Sequence, residues 1–228
     1  MARNKLQRYI IQQRDLGFTE LYLPIATRPR SAAAVKRLDI ARFNEAETLI
    51  QLEKTIDSCQ KCPLGKTRTR FVFGVGNPDA DIMFIGEAPG RDEDLQGEPF
   101  VGRAGKLLDK MLADVGLRRE NVYIANILKC RPPNNRDPEP SEAEECEPYL
   151  LAQIKLIKPK VICCLGRIAA QRLLQTNAAL GAMRQRQYDF HGVRLMVTYH
   201  PAAILRSASH LPLAMDDLRN LVAMTRQS

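Results

Sequence analysis

The chain has 228 residues, a formal net charge of +8 (34 Lys+Arg against 26 Asp+Glu), 45% hydrophobic residues, six Cys and no Trp. This length suits one domain with an appendage, and the composition excludes collagen, coiled coil and wholesale disorder. No apolar stretch approaches the ~18 residues of a membrane-spanning helix, and the start MARNKLQRYIIQQRD has only Tyr9-Ile10-Ile11 where a signal peptide would carry a longer apolar core, so a soluble cytoplasmic protein with no membrane association is expected.

In chain order, residues 1–46 come first, with nine basic side chains and four acids, a balance of +5, while the rest of the chain shares only +3. With no sustained helical periodicity, and with Pro24 and Pro29, this segment reads as a basic arm suited to an anionic partner such as nucleic acid. From residue 47 to 228 the chain reads as one compact domain. Four apolar runs look like buried strands: Ile82-Met83-Phe84-Ile85, Val122-Tyr123-Ile124-Ala125, Val161-Ile162-Cys163-Cys164-Leu165 and Leu195-Met196-Val197-Thr198-Tyr199. After the first, Leu107, Leu108, Met111, Leu112 and Val115 recur at helical spacing, with Gly116 where a helix would stop. Cys146 to Ile157 and Arg167 to Leu174 read as helices on either side of the third run. Such alternation predicts a three-layer α/β/α sandwich around a mainly parallel, four-stranded sheet.

In an open α/β sheet the ligand crevice lies beyond the carboxyl ends of the strands. The residues found there are Glu87, Asn126, Gly166 and His200, so three different polar groups are expected to meet at one rim. Gly86-Glu87-Ala88-Pro89-Gly90 lacks the Gly-Lys-Ser/Thr of a phosphate loop and the spacing of a dinucleotide fingerprint, which speaks against a nucleotide-triphosphate enzyme.

Cys59-Gln60-Lys61-Cys62 is a CxxC, and Cys130 and Cys146 are a second, widely spaced pair. A zinc ribbon usually closes with a second CxxC, whereas proline just after Cys62 and two residues after Cys130 fits the loops that wrap iron–sulfur sites. Spacing leaves a cluster, zinc and unliganded thiols all open. Cys163 and Cys164 lie inside an apolar run and read as core.

The segments GEAPGRDEDLQGEPFVGRAGKLLDKML (86–112), NILKCRPPNNRDPEP (126–140), LGRIAAQ (165–171) and TYHPAAILR (198–206), together with Cys146, strongly resemble the family 4 uracil-DNA glycosylases, the bacterial and archaeal iron–sulfur type. The resemblance runs from about residue 50 to the C-terminus. It implies the glycosylase α/β/α sandwich, a 4Fe–4S cluster held by Cys59, Cys62, Cys130 and Cys146, and uracil-containing DNA, single- or double-stranded, as the partner of a monomeric enzyme. Position by position it implies that Phe100 stacks on an extruded uracil, Asn126 reads the pyrimidine edge, Glu87 is the motif acid with Gly86 and Ala88 beside it at the substrate, Glu93 lies near the C5 side of the base, His200 is the histidine of the His-Pro motif, and Asn135 is a further pocket-side residue. The departures are the long N-terminal arm and Gln185 and Gln187, where the family would have Gly and Trp.

The chemistry suits those residue types. Asn126 sets an amide donor beside a carbonyl acceptor, matching O4 and N3–H of uracil but not the edge of cytosine. A neutral His200 can donate to O2 as it gains charge. Ala88 stands where a better-known glycosylase branch has an aspartate, so Glu87 or Glu93 orients the water, or no base is needed once the sugar cation forms. Two readings of other classes remain: a metal-dependent phosphoesterase using Asp92, Glu93, Asp94 and Glu87, and a binder that captures uracil-DNA without releasing the base.

Overall fold

The computed structural model describes residues 45–226. All but the last two positions of the basic arm, 1–46, lie outside the described residues. The sheet consists of β1 (Val75–Gly76), β2 (Ile82–Gly86), β3 (Tyr123–Asn126), β4 (Val161–Leu165), β5 (Tyr188–Phe190) and β6 (Val193–Thr198), in the order β1-β3-β2-β4-β6-β5. β3, β2, β4 and β6 run parallel, and β1 and β5 join antiparallel at the two edges. The four strands expected from the sequence are therefore the parallel centre of a six-stranded mixed sheet. The edge strands carry no apolar run because each is only two or three residues long and partly exposed.

The central strands are apolar throughout because both of their faces are covered. Met83, Ile85, Ile162, Cys164, Leu195 and Val197 face one layer, formed by α1 (Leu49–Ile56), α5 (Pro140–Ile157) and α6 (Arg167–Leu174). Ile82, Phe84, Val161, Cys163 and Met196 face the other, formed by α4 (Arg103–Asp114), α8 (Pro201–Arg206) and α9 (Leu211–Arg226). The short helices α2 (Leu64–Thr67), α3 (Arg91–Gln96) and α7 (Leu180–Met183) complete the set among the described residues. Cys163 and Cys164 thus point into opposite cores and are fully buried, and burial pushes both thiols far up. They are core packing.

Two helices extend beyond their apolar periodicity. α4 begins at Arg103, where its first turn is polar, and ends before Gly116, whose φ of 77° suits a helix stop. α5 begins at Pro140, well before Cys146, because Glu139 and Glu142 form a capping box and proline is tolerated in the first turn. The parallel register sets Gly86 beside Asn126 and Leu165 beside Thr198, so the carboxyl ends of the central strands share one rim. From β2 the chain moves to β3 on one side and then to β4 on the other, which makes the end of β2 the point where the strand order reverses.

Candidate active site

A cleft of about 630 Å³ opens at that rim and is lined by Glu87, Ala88, Glu93, Phe100, Asn126, Asn135 and His200, among others. Gly86, the last residue of β2, lies against two of these, Asn126 and Phe100. A Cβ there would stand 2.4 Å from Asn126 Oδ1 and 2.7 Å from the Phe100 ring, so only glycine lets the amide and the ring close on the same space.

Phe100 is held in a left-handed conformation, φ 55°, which costs a non-glycine residue roughly 1–3 kcal/mol and so needs support from its surroundings. That support comes from several sides. The Arg119 guanidinium donates to the Phe100 carbonyl at 3.0 Å and the Pro99 carbonyl at 2.7 Å, and is itself steadied by Asp109 at 3.0 Å. Against the Phe100 backbone, α4 passes so close that a Cβ on Gly105 would lie 1.7 Å from the Phe100 carbonyl oxygen. Glu93 ties the segment down: Oε1 accepts the N–H groups of Val101 and Gly102, each at 2.9 Å, and Oε2 accepts that of Gly90 at 3.1 Å. Both oxygens of Glu93 are therefore engaged by backbone.

Asn126 is 2% exposed, and its Oδ1 has no hydrogen-bond partner among the described residues. A buried acceptor left open costs free energy that a donor-bearing ligand would recover. The His200 ring lies 5.4 Å from that of Phe100, tilted by 34°. At the start of α8, His200 Nδ1 accepts the Ala202 N–H at 3.1 Å, which assigns the ring proton to Nε2. Burial, with the Arg206 guanidinium adding to it, pushes His200 down to about 4, so the imidazole is neutral at physiological pH. Burial pushes Glu87 the other way, up to about 7, with Asp137 reinforcing the shift and Arg167 opposing it. Asn135 sits at the cleft wall with φ 54°, its Oδ1 accepting from Arg131 Nε at 2.8 Å.

The acidic run after Glu87 is dispersed. Asp94 is buried and accepts the Thr69 N–H at 2.8 Å, and Glu93 serves the backbone as described. These carboxylates do not meet around a shared point with Glu87.

The four cysteines come from the segment between α1 and α2 (Cys59, Cys62), the loop after β3 (Cys130) and α5 (Cys146). None is in a disulfide. Hydrogen-bond donors point at their sulfurs: Tyr149 Oη at 3.1 Å and the Lys61 N–H at 3.5 Å from Cys59, Arg68 Nη1 at 3.2 Å from Cys130, and the Lys129 N–H at 3.3 Å from Cys146. The thiols act on one another electrostatically: Cys59 on Cys62, Cys130 and Cys146, and Cys62 on Cys130. Yet among the described residues no three His, Cys, Asp or Glu side chains gather closely enough to hold a single ion. Burial pushes Cys146 up to about 12 against the pull of the Lys129 ammonium, and burial pushes Lys129 down to about 8 against the pull of Cys146 and Cys130. Four soft donors with N–H and O–H groups aimed at sulfur suit an iron–sulfur cluster.

Of the pocket residues expected from the sequence, Glu87, Ala88, Glu93, Phe100, Asn126, Asn135 and His200 line the cleft, and Gly86 lies outside the lining. Asp137 and Arg167 in the lining, and Arg119 and Lys129 outside it, are not among the site residues read from the sequence. Asp137 and Arg167 lie within segments that carry the resemblance, in NNRDPEP and LGRIAAQ, but their part depends on the approach of chain segments remote from each other. Arg119 belongs to no motif and reaches Phe100 across nineteen positions.

A family model described as "Uracil DNA glycosylase superfamily" matches residues 73–221. A type-4 uracil-DNA glycosylase of Archaeoglobus fulgidus is 53% identical over 70% of this chain and 84% of the relative. Enzymes of the same description from Saccharolobus solfataricus and Thermotoga maritima are 45% and 42% identical, over 73% and 74% of this chain and 81% and 88% of their own lengths.

Proposed function

The chain belongs to the uracil DNA glycosylase superfamily, and from that premise we infer how its cleft works. The protein is a DNA repair enzyme, a hydrolase of N-glycosyl bonds that removes uracil from DNA. The observation that carries the reading of the site is the buried Oδ1 of Asn126, unpartnered among the described residues, in a cleft shared with a braced aromatic ring and a neutral imidazole.

The target nucleotide rotates out of the DNA at a cost of a few kcal/mol. Stacking on Phe100 recovers roughly 1–3 kcal/mol of it, and the strained, clamped backbone presents the ring without further ordering. Asn126 Oδ1 accepts from uracil N3–H while its amide NH₂ donates to O4. Cytosine would set an acceptor against Oδ1 and a donor against the NH₂, leaving buried groups unpaired. As the bond between C1′ and N1 breaks, its electron pair passes to the base, and His200 Nε2–H donates to O2 as charge gathers there, a contribution of about 2.7–4 kcal/mol by analogy with other oxyanion donors. Nδ1 is committed to Ala202, so the ring cannot turn its donor away.

Glu87 orients the water that attacks C1′ and takes its proton. Glu93 has both oxygens engaged and acts instead by fixing the loop that carries Phe100. Uracil leaves as an anion that solvent protonates, and an abasic site remains.

Cys59, Cys62, Cys130 and Cys146 hold a 4Fe–4S cluster, which when bound supplies iron–thiolate bonds joining segments remote in sequence. Donors aimed at the sulfurs of Cys59, Cys130 and Cys146 suit the surroundings of a cluster. The basic residues of positions 1–46, a unit apart from the catalytic domain of 47–228, add phosphate-binding charge.

Incubation with a uracil-containing oligonucleotide in EDTA, followed by alkali, tests the reading. Free uracil and strand cleavage only after alkali are expected. A stable covalent adduct, or a nick that requires magnesium, would overturn it.

A further inference from the structure

Lys129 is fully buried. Its Nζ donates to the Asn126 carbonyl at 3.0 Å and to Gln153 Oε1 at 2.6 Å, while its own N–H donates to Cys146 Sγ at 3.3 Å. Gln153, also fully buried, is held in turn by donating through Nε2 to the Phe73 carbonyl at 3.0 Å and to the Tyr123 hydroxyl at 3.3 Å. Lys129 thus touches Cys146 through its backbone, and Cys130 is the next residue in the chain. Both are in the cysteine set read above as the cluster ligands. A buried cation needs a counter-charge, and thiolates ligated to a cluster would supply one.

The other end of the contact is the backbone of the base-reading residue. Asn126 ends β3, and the chain stays beside the segment that leaves β2, with Ile127 N–H donating to the Gly86 carbonyl and Leu128 N–H to the Glu87 carbonyl, before it reaches Cys130. The Asn126 carbonyl is taken by Lys129, so the ammonium sets the orientation of the peptide next to the amide that faces the cleft.

We propose that Lys129 is a positioning residue that couples the cysteine site to base recognition: drawn to the negative charge of the ligated cysteines and hydrogen-bonded to the Asn126 carbonyl, it fixes the strand end from which the Asn126 amide meets uracil. The proposal rests on the functional reading above. It makes loading of the cluster a condition for sharp discrimination between uracil and cytosine, beyond any role in holding the fold together. It also assigns a purpose to a lysine that an apolar side chain of similar volume would otherwise replace at little cost.

The test compares iron-loaded wild type with Lys129→Met and Lys129→Gln. Three quantities are measured: affinity for free uracil, the preference for uracil- over cytosine-containing oligonucleotide, and the midpoint potential of the cluster. In Lys129→Met the preference falls on the order of tenfold, as loss of one well-oriented base contact would produce, and the potential moves to more negative values because a nearby positive charge is gone. Lys129→Gln, whose amide still donates to the Asn126 carbonyl, recovers most of the uracil preference but not the potential. Wild-type preference in Lys129→Met overturns the proposal, as does a lost preference with an unmoved potential. If Lys129→Met does not fold, Gln153→Leu takes its place: a several-fold loss of preference at full iron content supports the proposal, and no change overturns it. A wild type that binds neither uracil nor iron overturns the functional reading and this proposal together, whereas a competent wild type with unaltered variants overturns this proposal alone.

Discussion

The uracil cleft and the cysteine site lie at opposite ends of one short stretch of chain, Asn126 to Cys130, yet they are built on different principles. The cleft stands on the ends of parallel strands, whose register is set by the sheet, and it leaves polar capacity open: Asn126 Oδ1 is unpartnered, and no described residue hydrogen-bonds the Glu87 carboxylate. The cysteine site is assembled from two loops and a helix, and donors already point at its sulfurs. The difference teaches that a rigid sheet can hold unsatisfied groups ready for a ligand, whereas loops brought together by long-range contacts need a ligand to hold them.

That contrast is broken most severely from the cysteine side. Cys59→Ala is expected to lose the brown colour and iron together and to leave little soluble protein, while Cys163→Ala keeps both colour and iron. Iron analysis and the visible spectrum of anaerobically prepared protein check this, and stoichiometric zinc in place of iron would contradict it.

On the cleft side the strands should survive substitution while the chemistry fails. Asn126→Asp is expected to slow single-turnover uracil excision by roughly 10²–10³-fold, with far-UV circular dichroism unchanged, because a carboxylate cannot donate to O4. The same carboxylate accepts from cytosine N4, so weak release of cytosine is expected in parallel.

The two titratable groups of the cleft sharpen the comparison through pH. Glu87 is raised to about 7, so its carboxylate form is lost as pH falls through that value, and the excision rate should climb towards a plateau above about pH 8. His200, lowered to about 4, stays neutral across that window and adds no break near its ordinary 6.5. Glu87→Gln should cost about a hundredfold and flatten the profile. A break near 7 that persists in Glu87→Gln would transfer it to another group. For stability the Glu87 sign is opposite to that for rate: the folded state holds the Glu87 proton more tightly than the unfolded chain, so this group makes stability fall as pH rises from about 4.5 to 7, whereas His200 makes it rise between about 4 and 6.5.

The smallest expected effect concerns the brace behind Phe100. Arg119→Ala frees the Pro99 and Phe100 carbonyls and lets the strained φ relax, so affinity for uracil-DNA should fall about tenfold, in line with release of roughly 1–3 kcal/mol of stored strain. Binding of a non-cleavable uracil analogue in DNA checks this, and an unchanged affinity would show that Gly105 and Glu93 hold the ring without Arg119.

The sequence alone determined the parallel core, because strands buried on both faces must be apolar throughout, and it determined which polar residues stand at the strand ends, because they follow those runs directly. It also carried the family motifs and the order of the four cysteines. It did not reveal β1 and β5, whose pairing comes from neighbours rather than from any pattern in two or three residues. Only the tertiary structure decided that Glu93 is occupied by three backbone N–H groups while Glu87 is not, that the proton of His200 sits on Nε2, and that Asn126 keeps an open acceptor. The fork of Arg119 and the burial of Lys129 between the cleft and the cysteines were decided there too. The physical reason is common to all of them: protonation, strain and hydrogen-bond satisfaction depend on atoms brought close from remote parts of the chain, whereas hydrophobic periodicity and motif spacing are local and survive in one dimension.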